Sequence, residues 1–186
     1  YITAPEPSDV LYVDLFNNAN VSDNDGVIDL LADSKIRKIT SPQNSNEAFT
    51  LYLSHDKNEW FKVSDCKFDE NGEWTNNKTI TGYRYAAISF DSLPDDLKIL
   101  TNADDDTAYI ALLGNKLDFY SVFDGAEKPS ECSWSVSSDA GQIENGTLLP
   151  KRRGELVVTS QLGDKSLSAK IVIMSEFDFA KLNGSI

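Results

Sequence analysis

Residues 84–90 read Arg84-Tyr-Ala-Ala-Ile-Ser-Phe90, RYAAISF, and their alternation decides the fold class. Ala86, Ile88 and Phe90 fall on one face of an extended chain, and Tyr83, Tyr85 and Ala87 fall on the other. That is the period of two imposed by a strand with one face on a core. The same period recurs on either side. Phe49, Leu51 and Leu53 share a face; Leu117, Phe119, Ser121 and Phe123 alternate with Asp118, Tyr120 and Val122. Cys132, Trp134 and Val136 alternate with serines, and Leu156, Val158 and Ser160, then Ala169, Ile171 and Ile173, repeat the pattern. Helical periodicity is almost absent. Between the runs stand Asp25-Gly26, Asn71-Gly72, Asp124-Gly125, Asn145-Gly146 and Gly163-Asp164, pairs that suit tight hairpin turns. Short strands punctuated in this way predict an all-β, antiparallel chain of sandwich type.

The chain has 186 residues, 40% of them apolar and 10% aromatic, enough to build real cores. A proline and an acidic pair in Ser92-Leu-Pro-Asp-Asp96 mark a boundary, which predicts two β-sandwich domains in tandem. The expected limits are 1–93 and 94–175, with 176–186 as a linker or tail. The net charge of −13 repels polyanions. The one basic cluster, Lys151-Arg152-Arg153, reads as a solvated turn, so a nucleic-acid partner is disfavoured. No apolar run reaches the 18 residues that suggest a membrane span. The opening YITAPEPSD lacks an initiator Met, as in a processed secreted protein or a piece of a longer one. Sequons at Asn20, Asn77, Asn145 and Asn183 are no more than a chain rich in Asn, Ser and Thr yields by chance. Cys66 and Cys132 fall in different expected domains, which favours two separate, mostly buried thiols; a Cys66–Cys132 disulfide is the alternative.

In the C-terminal half, Gly114, Trp134-Ser135, Asn145-Gly146, Gly154 and the closing Ser168-Ala-Lys-Ile-Val-Ile173 resemble the pattern of a bacterial Ig-like domain of the group 2 type. The likeness spans roughly 80 residues. It implies an Ig-like sandwich with Trp134 between its sheets, a spacer or adhesion role, and no catalytic residues. In the N-terminal half, Phe49-Thr-Leu-Tyr-Leu-Ser-His-Asp-Lys-Asn-Glu-Trp-Phe-Lys-Val63 is similar to a hairpin of discoidin-like, galactose-binding-type jelly rolls. Gly82–Phe90 and Lys35–Ile39 are similar to two of that family's other strands. Ligands of that family bind at loops on one end of the sandwich, often by stacking an aromatic ring on a sugar.

The residues that suit such stacking are Trp74, Tyr83 and Tyr85, with Asn76, Asn77 and Arg84 as directional donors. The competing reading puts Trp74 back over the core and the tyrosines over a sheet face. Of Trp60 and Phe61, next to a hairpin turn, Trp60 is the one expected in the core.

Catalytic patterns are lacking. The single histidine, His55, stands between Ser54 and Asp56, and neighbouring side chains on a turn diverge too far for a triad. There is no nucleophile elbow, phosphate loop, dinucleotide fingerprint or zinc spacing. The chain is therefore expected not to be an enzyme and to carry no cofactor.

Calcium is the one metal the sequence brings to mind. Ser22-Asp-Asn-Asp-Gly-Val-Ile-Asp-Leu30 looks like half of an EF-hand. With Gly26 at the sixth position, however, Val21 and Ala32 occupy the first and twelfth, where carboxylates are required. What remains is an Asp25-Gly26 turn or, as the lesser alternative, a calcium held by Asp23, Asp25 and backbone carbonyls. Asn102-Ala-Asp-Asp-Asp-Thr107 reads as a solvated turn.

The expected function is thus a non-catalytic adhesion or carbohydrate-binding module of a bacterial surface or secreted protein. The alternative is a structural spacer or decoration domain of a virion, fibre or surface layer. The expected partner is a carbohydrate or a protein surface, in a tandem or oligomeric setting.

Overall fold

A computed structural model describes residues 9–22, 25–76, 81–127 and 131–182. It is mostly β, with antiparallel pairing predominating and a β-sandwich-like architecture, as the period of two predicts. The chain divides into two compact units, one of Ala19–Thr101 and one that joins residues 9–18 to 102–182. The opening strand β1 (Val10–Asp14) thus belongs to the second unit.

In the first unit, β2 (Asn20–Val21), β3 (Ile28–Ser34), β5 (Ala48–Ser54), β6 (Phe61–Lys67) and β8 (Tyr83–Ile88) form a sheet in the order β2-β3-β8-β5-β6. Strands β4 (Lys38–Thr40), β7 (Glu73–Thr75) and β9 (Lys98–Asn102) lie in the order β9-β4-β7. The core takes Ile28, Ile39, Leu51, Phe68, Ala86 and Ile99 out of solvent. Phe49 stacks on Phe68 at 4.3 Å between ring centroids, and Phe90 lies 6.1 Å from Phe68. The boundary expected at Ser92–Asp96 lies inside this unit. The chain after it continues as β9, where Ile99 pairs with Ile39 and Leu100 with Lys38, and that pairing holds it to the first unit.

Strand β3 departs from simple alternation. Leu30 and Leu31 are consecutive and both buried, because Leu31 adopts φ 75° and the register with β8 shifts between Asp29 and Ser34. A bulge of this kind turns successive side chains to one side. Asp29 fixes it: Oδ1 accepts the Leu31 amide at 2.9 Å and Arg84 Nε at 2.9 Å, and Oδ2 accepts Arg84 Nη2 at 3.0 Å. Its hydrogen bond to Asp29 holds the Arg84 guanidinium above its ordinary pKa against the opposing effect of burial. Both partners are partly shielded, so Asp29→Ala is expected to cost about 2 kcal/mol. Urea unfolding measures it, and a loss under about 0.5 kcal/mol, the worth of an exposed pair, would contradict the anchor.

The second unit contains β10 (Ala108–Leu112), β11 (Leu117–Phe123), β12 (Ala126–Glu127), β13 (Ser133–Val136), β14 (Gly141–Glu144), β15 (Thr147–Pro150), β16 (Gly154–Leu162) and β17 (Lys165–Met174). One set runs β14-β15-β11-β1 with β12 on β11, and the other runs β10-β17-β16-β13. Strand β10 pairs with β17 in parallel, and the other pairs with a resolved register in this unit are antiparallel. Leu117, Phe119, Ser121 and Phe123 are buried, in the alternation read from the sequence. Asp124-Gly125 and Asn145-Gly146 each adopt positive φ at both residues and close two-residue hairpins. Trp134 is half-buried, against Phe119 at 6.5 Å.

Residues 176–182 lie in the segment expected as a linker or tail. They form helix α1 (Glu176–Leu182), with Phe179 buried. Ser175 accepts the Asp178 amide at 3.0 Å on its hydroxyl, and the Asp178 carboxylate accepts the Ser175 amide at 3.3 Å. This reciprocal cap starts the helix. Cys66 is buried, Cys132 half-buried, and neither forms a disulfide. No helix of the described residues is long and apolar enough to cross a membrane.

Candidate functional site

The residues expected to bind sugar are parted by the fold. Trp74 pairs with Ile39 in the β4–β7 ladder, and its ring meets Phe49 edge-on at 5.7 Å, over the core. Asn76 donates from Nδ2 to the Ile36 carbonyl at 3.2 Å, and its own carbonyl accepts Arg37 Nη1 at 2.6 Å. Both serve the packing around β4. Asn77 and Asp23 lie outside the described residues. Tyr83, Arg84 and Tyr85 stand together on β8, but Arg84 is occupied by Asp29. The Tyr85 ring has Arg84 5.2 Å and Lys57 5.5 Å from its centroid.

Tyr83 is different, because it leads to a group of rings that sequence reading did not assemble. The His55 imidazole stacks on it at 4.5 Å with 24° between planes. Phe61 lies 6.3 Å away with its ring nearly parallel, at 9°. Phe61 is 56% exposed and Trp60 36%, so neither of the adjacent aromatics is in the core, where Trp60 was expected. The reason is local. Val63 and Cys66 are the buried residues of β6, while Trp60 precedes the strand and donates its indole N–H to the Lys57 carbonyl at 3.1 Å. The two rings border an open recess of about 290 Å³ with Leu53, His55, Asp56, Glu59 and Tyr83. That is near the lower end of the range for small-molecule sites.

The turn that carries these rings is pre-formed. Ser54 Oγ donates to the Glu59 carbonyl at 2.6 Å and accepts the Lys57 amide at 2.9 Å. The Asp56 carboxylate accepts the amides of Asn58 at 2.8 Å and Glu59 at 3.0 Å. Those amides, Glu59 foremost, hold the Asp56 carboxyl below its ordinary pKa. A depressed folded-state pKa stabilises the turn above the unfolded value and ceases to do so as pH falls through the folded one. The amide resonances of Asn58 and Glu59 are therefore expected to titrate together with a midpoint below about 3.9, the ordinary aspartate value. A midpoint at or above it would contradict the arrangement.

Carboxylates stand in the recess at Glu59 and beside it at Asp33. Asp33 Oδ1 lies 3.7 Å from His55 Nδ1, and Glu59 is exposed. Ser54 Oγ gives its one proton to the Glu59 carbonyl at 2.6 Å, within its own turn, and the Asp56 carboxylate lies 3.2 Å from it.

Asp25 and Gly26 stand in the turn between β2 and β3. Asp25 Oδ1 accepts the Val27 amide at 3.0 Å, and Ser22 and Val27 close the β2–β3 hairpin backbone. The Val27 amide, then Ser22, hold the Asp25 carboxyl below its ordinary pKa. Asp104, Asp105 and Asp106 are exposed, with Asp104 accepting the Asp106 amide at 3.0 Å. Among the described residues, no three His, Cys, Asp or Glu side chains are grouped to hold a metal.

A comparison with models of protein families finds no match, and a comparison with curated proteins finds none either.

Proposed function

We propose that the chain is a non-catalytic carbohydrate-binding module of a bacterial surface or secreted protein. Each unit is read as a β-sandwich: the first holds the sugar, and the second, Ig-like, carries it. The observation that supports this best is the recess beside Tyr83, where Tyr83, Phe61 and Trp60 are only partly covered although large aromatics are usually well buried. Such faces suit the C–H surface of a sugar ring, and the carboxylates of Glu59, which lines the recess, and Asp33, beside its His55, suit its hydroxyls. The hydrogen bonds within Ser54–Glu59 hold the turn before any ligand arrives, which lowers the ordering cost of binding. A printed panel of neutral, amino and acidic glycans tests the reading. Saturable binding to at least one class is expected, and a panel without binding would overturn it.

A spacer or decoration role is the second reading, favoured by one surface of the second unit. Val157 and Val172, half-buried on the outward side of β16 and β17, border a recess of about 330 Å³ with Glu155 and Lys170. A neighbouring subunit covers surfaces of this kind. Native mass spectrometry showing an ordered oligomer would favour that role, and a monomer that binds glycans would count against it.

A further inference from the structure

The charges around the Tyr83 recess are unbalanced. Asp56 directs its carboxylate to backbone amides of its own turn. The exposed Glu59 carboxylate makes no hydrogen bond or ion pair with any described residue, and the exposed Asp33 carboxylate lies 3.7 Å from the imidazole of His55. The cations of the neighbourhood are engaged elsewhere. Arg84 is held by Asp29 in two hydrogen bonds, and Lys57 Nζ lies over the Tyr85 ring at 5.5 Å. Rings of Tyr83, Phe61 and Trp60 thus border a recess that also holds the carboxylates of Asp56 and Glu59. Aromatic faces attract a cation through the ring quadrupole, most strongly where water is partly excluded, and a carboxylate beside them adds a charge-assisted hydrogen bond. The net charge of −13 draws cations toward the surface and repels anionic sugars.

We infer that the recess selects a sugar bearing a protonated amine. This rests on the carbohydrate reading above and narrows its ligand class. The sugar ring lies against the aromatic faces, and its ammonium group is held by Glu59 and Asp33.

The test is calorimetric titration of the full chain at mildly acidic pH, where the sugar's amines are protonated, with a β-1,4-linked glucosamine tetrasaccharide and with its N-acetylated counterpart, which has the same backbone without the charge. The amine form is expected to bind about tenfold more tightly. Glu59→Gln, and separately Asp33→Asn, should each narrow that gap to about threefold or less, with thermal melting confirming that each variant is folded. Equal binding of the two sugars, or tighter binding of the N-acetylated one, overturns the inference and leaves the carbohydrate reading intact. So does binding of a short oligolysine as tightly as the amine sugar, since the charge alone would then be recognised. If neither tetrasaccharide binds, the inference falls, and the carbohydrate reading falls with it only if the glycan panel is also silent.

Discussion

Gly72→Ala is expected to destabilise the first unit by more than about 3 kcal/mol, the largest effect of any single substitution considered. Gly72 sits at φ +75°, where an L side chain already costs about 1–2 kcal/mol. The added Cβ would also lie 2.6 Å from Pro42 Cα and 2.6 Å from the Ser41 carbonyl oxygen. Those are backbone atoms that cannot swing away. Ser41 donates its amide to the Gly72 carbonyl at 2.7 Å, and Gly72 donates its own to Asp69 at 3.1 Å. Relief of the clash would part the β4–β7 ladder and shift Trp74 off Phe49. A unit of this size loses about 4–8 °C of Tm per kcal/mol, so thermal melting should move by more than about 12 °C. A shift of only a few degrees would mean that the turn relaxes freely.

Tyr83→Ala is expected to weaken glycan binding by about thirtyfold or more, roughly 2 kcal/mol. The Tyr83 ring organises the recess: His55 stacks on it at 4.5 Å and Phe61 lies parallel to it at 6.3 Å. Its removal takes away a stacking face and leaves two partly exposed neighbours without support. Folding should suffer less, because Tyr83 is only half-buried and the β8 core contacts come from Ala86 and Ile88. Calorimetry and melting on the same variant separate the two effects. Intact binding would place the ligand elsewhere, and a collapse of melting to match the loss of binding would make Tyr83 a structural residue.

Local physics was legible in the sequence. The alternation in Leu117–Phe123 predicts its burial residue by residue, because a strand's side-chain direction depends on parity alone. Asn145-Gly146 and Asp124-Gly125 announce their turns because few residues accept positive φ at two successive positions. What escaped depends on distant partners. Leu31 joins Leu30 in the core at a bulge whose Asp29 is tied to Arg84, 55 residues away. Strand β1 joins the second unit by pairing with β11, with Val10 opposite Val122, and a boundary drawn from local composition does not register that pairing. Helix α1 carries its Ser175–Asp178 cap in plain view, but seven residues are too few for a helical period to stand out.

The site was half legible for the same reason. Tyr83 was marked by its place in an alternating strand. The two aromatics that border the recess with it lie next to each other in the chain, at 60 and 61, where strand parity sends one inward. Both stay outside because the turn from Ser54 to Glu59 is closed by its own hydrogen bonds and Trp60 clamps it through Lys57.

His55 is the single histidine of the chain and lies within the recess, so its ring resonances report on that place alone. Titrating the protein with the tightest glycan from the panel, the proposed site predicts a saturable shift of the His55 ring signals with the same dissociation constant as calorimetry. Binding by calorimetry with those signals unmoved would contradict it.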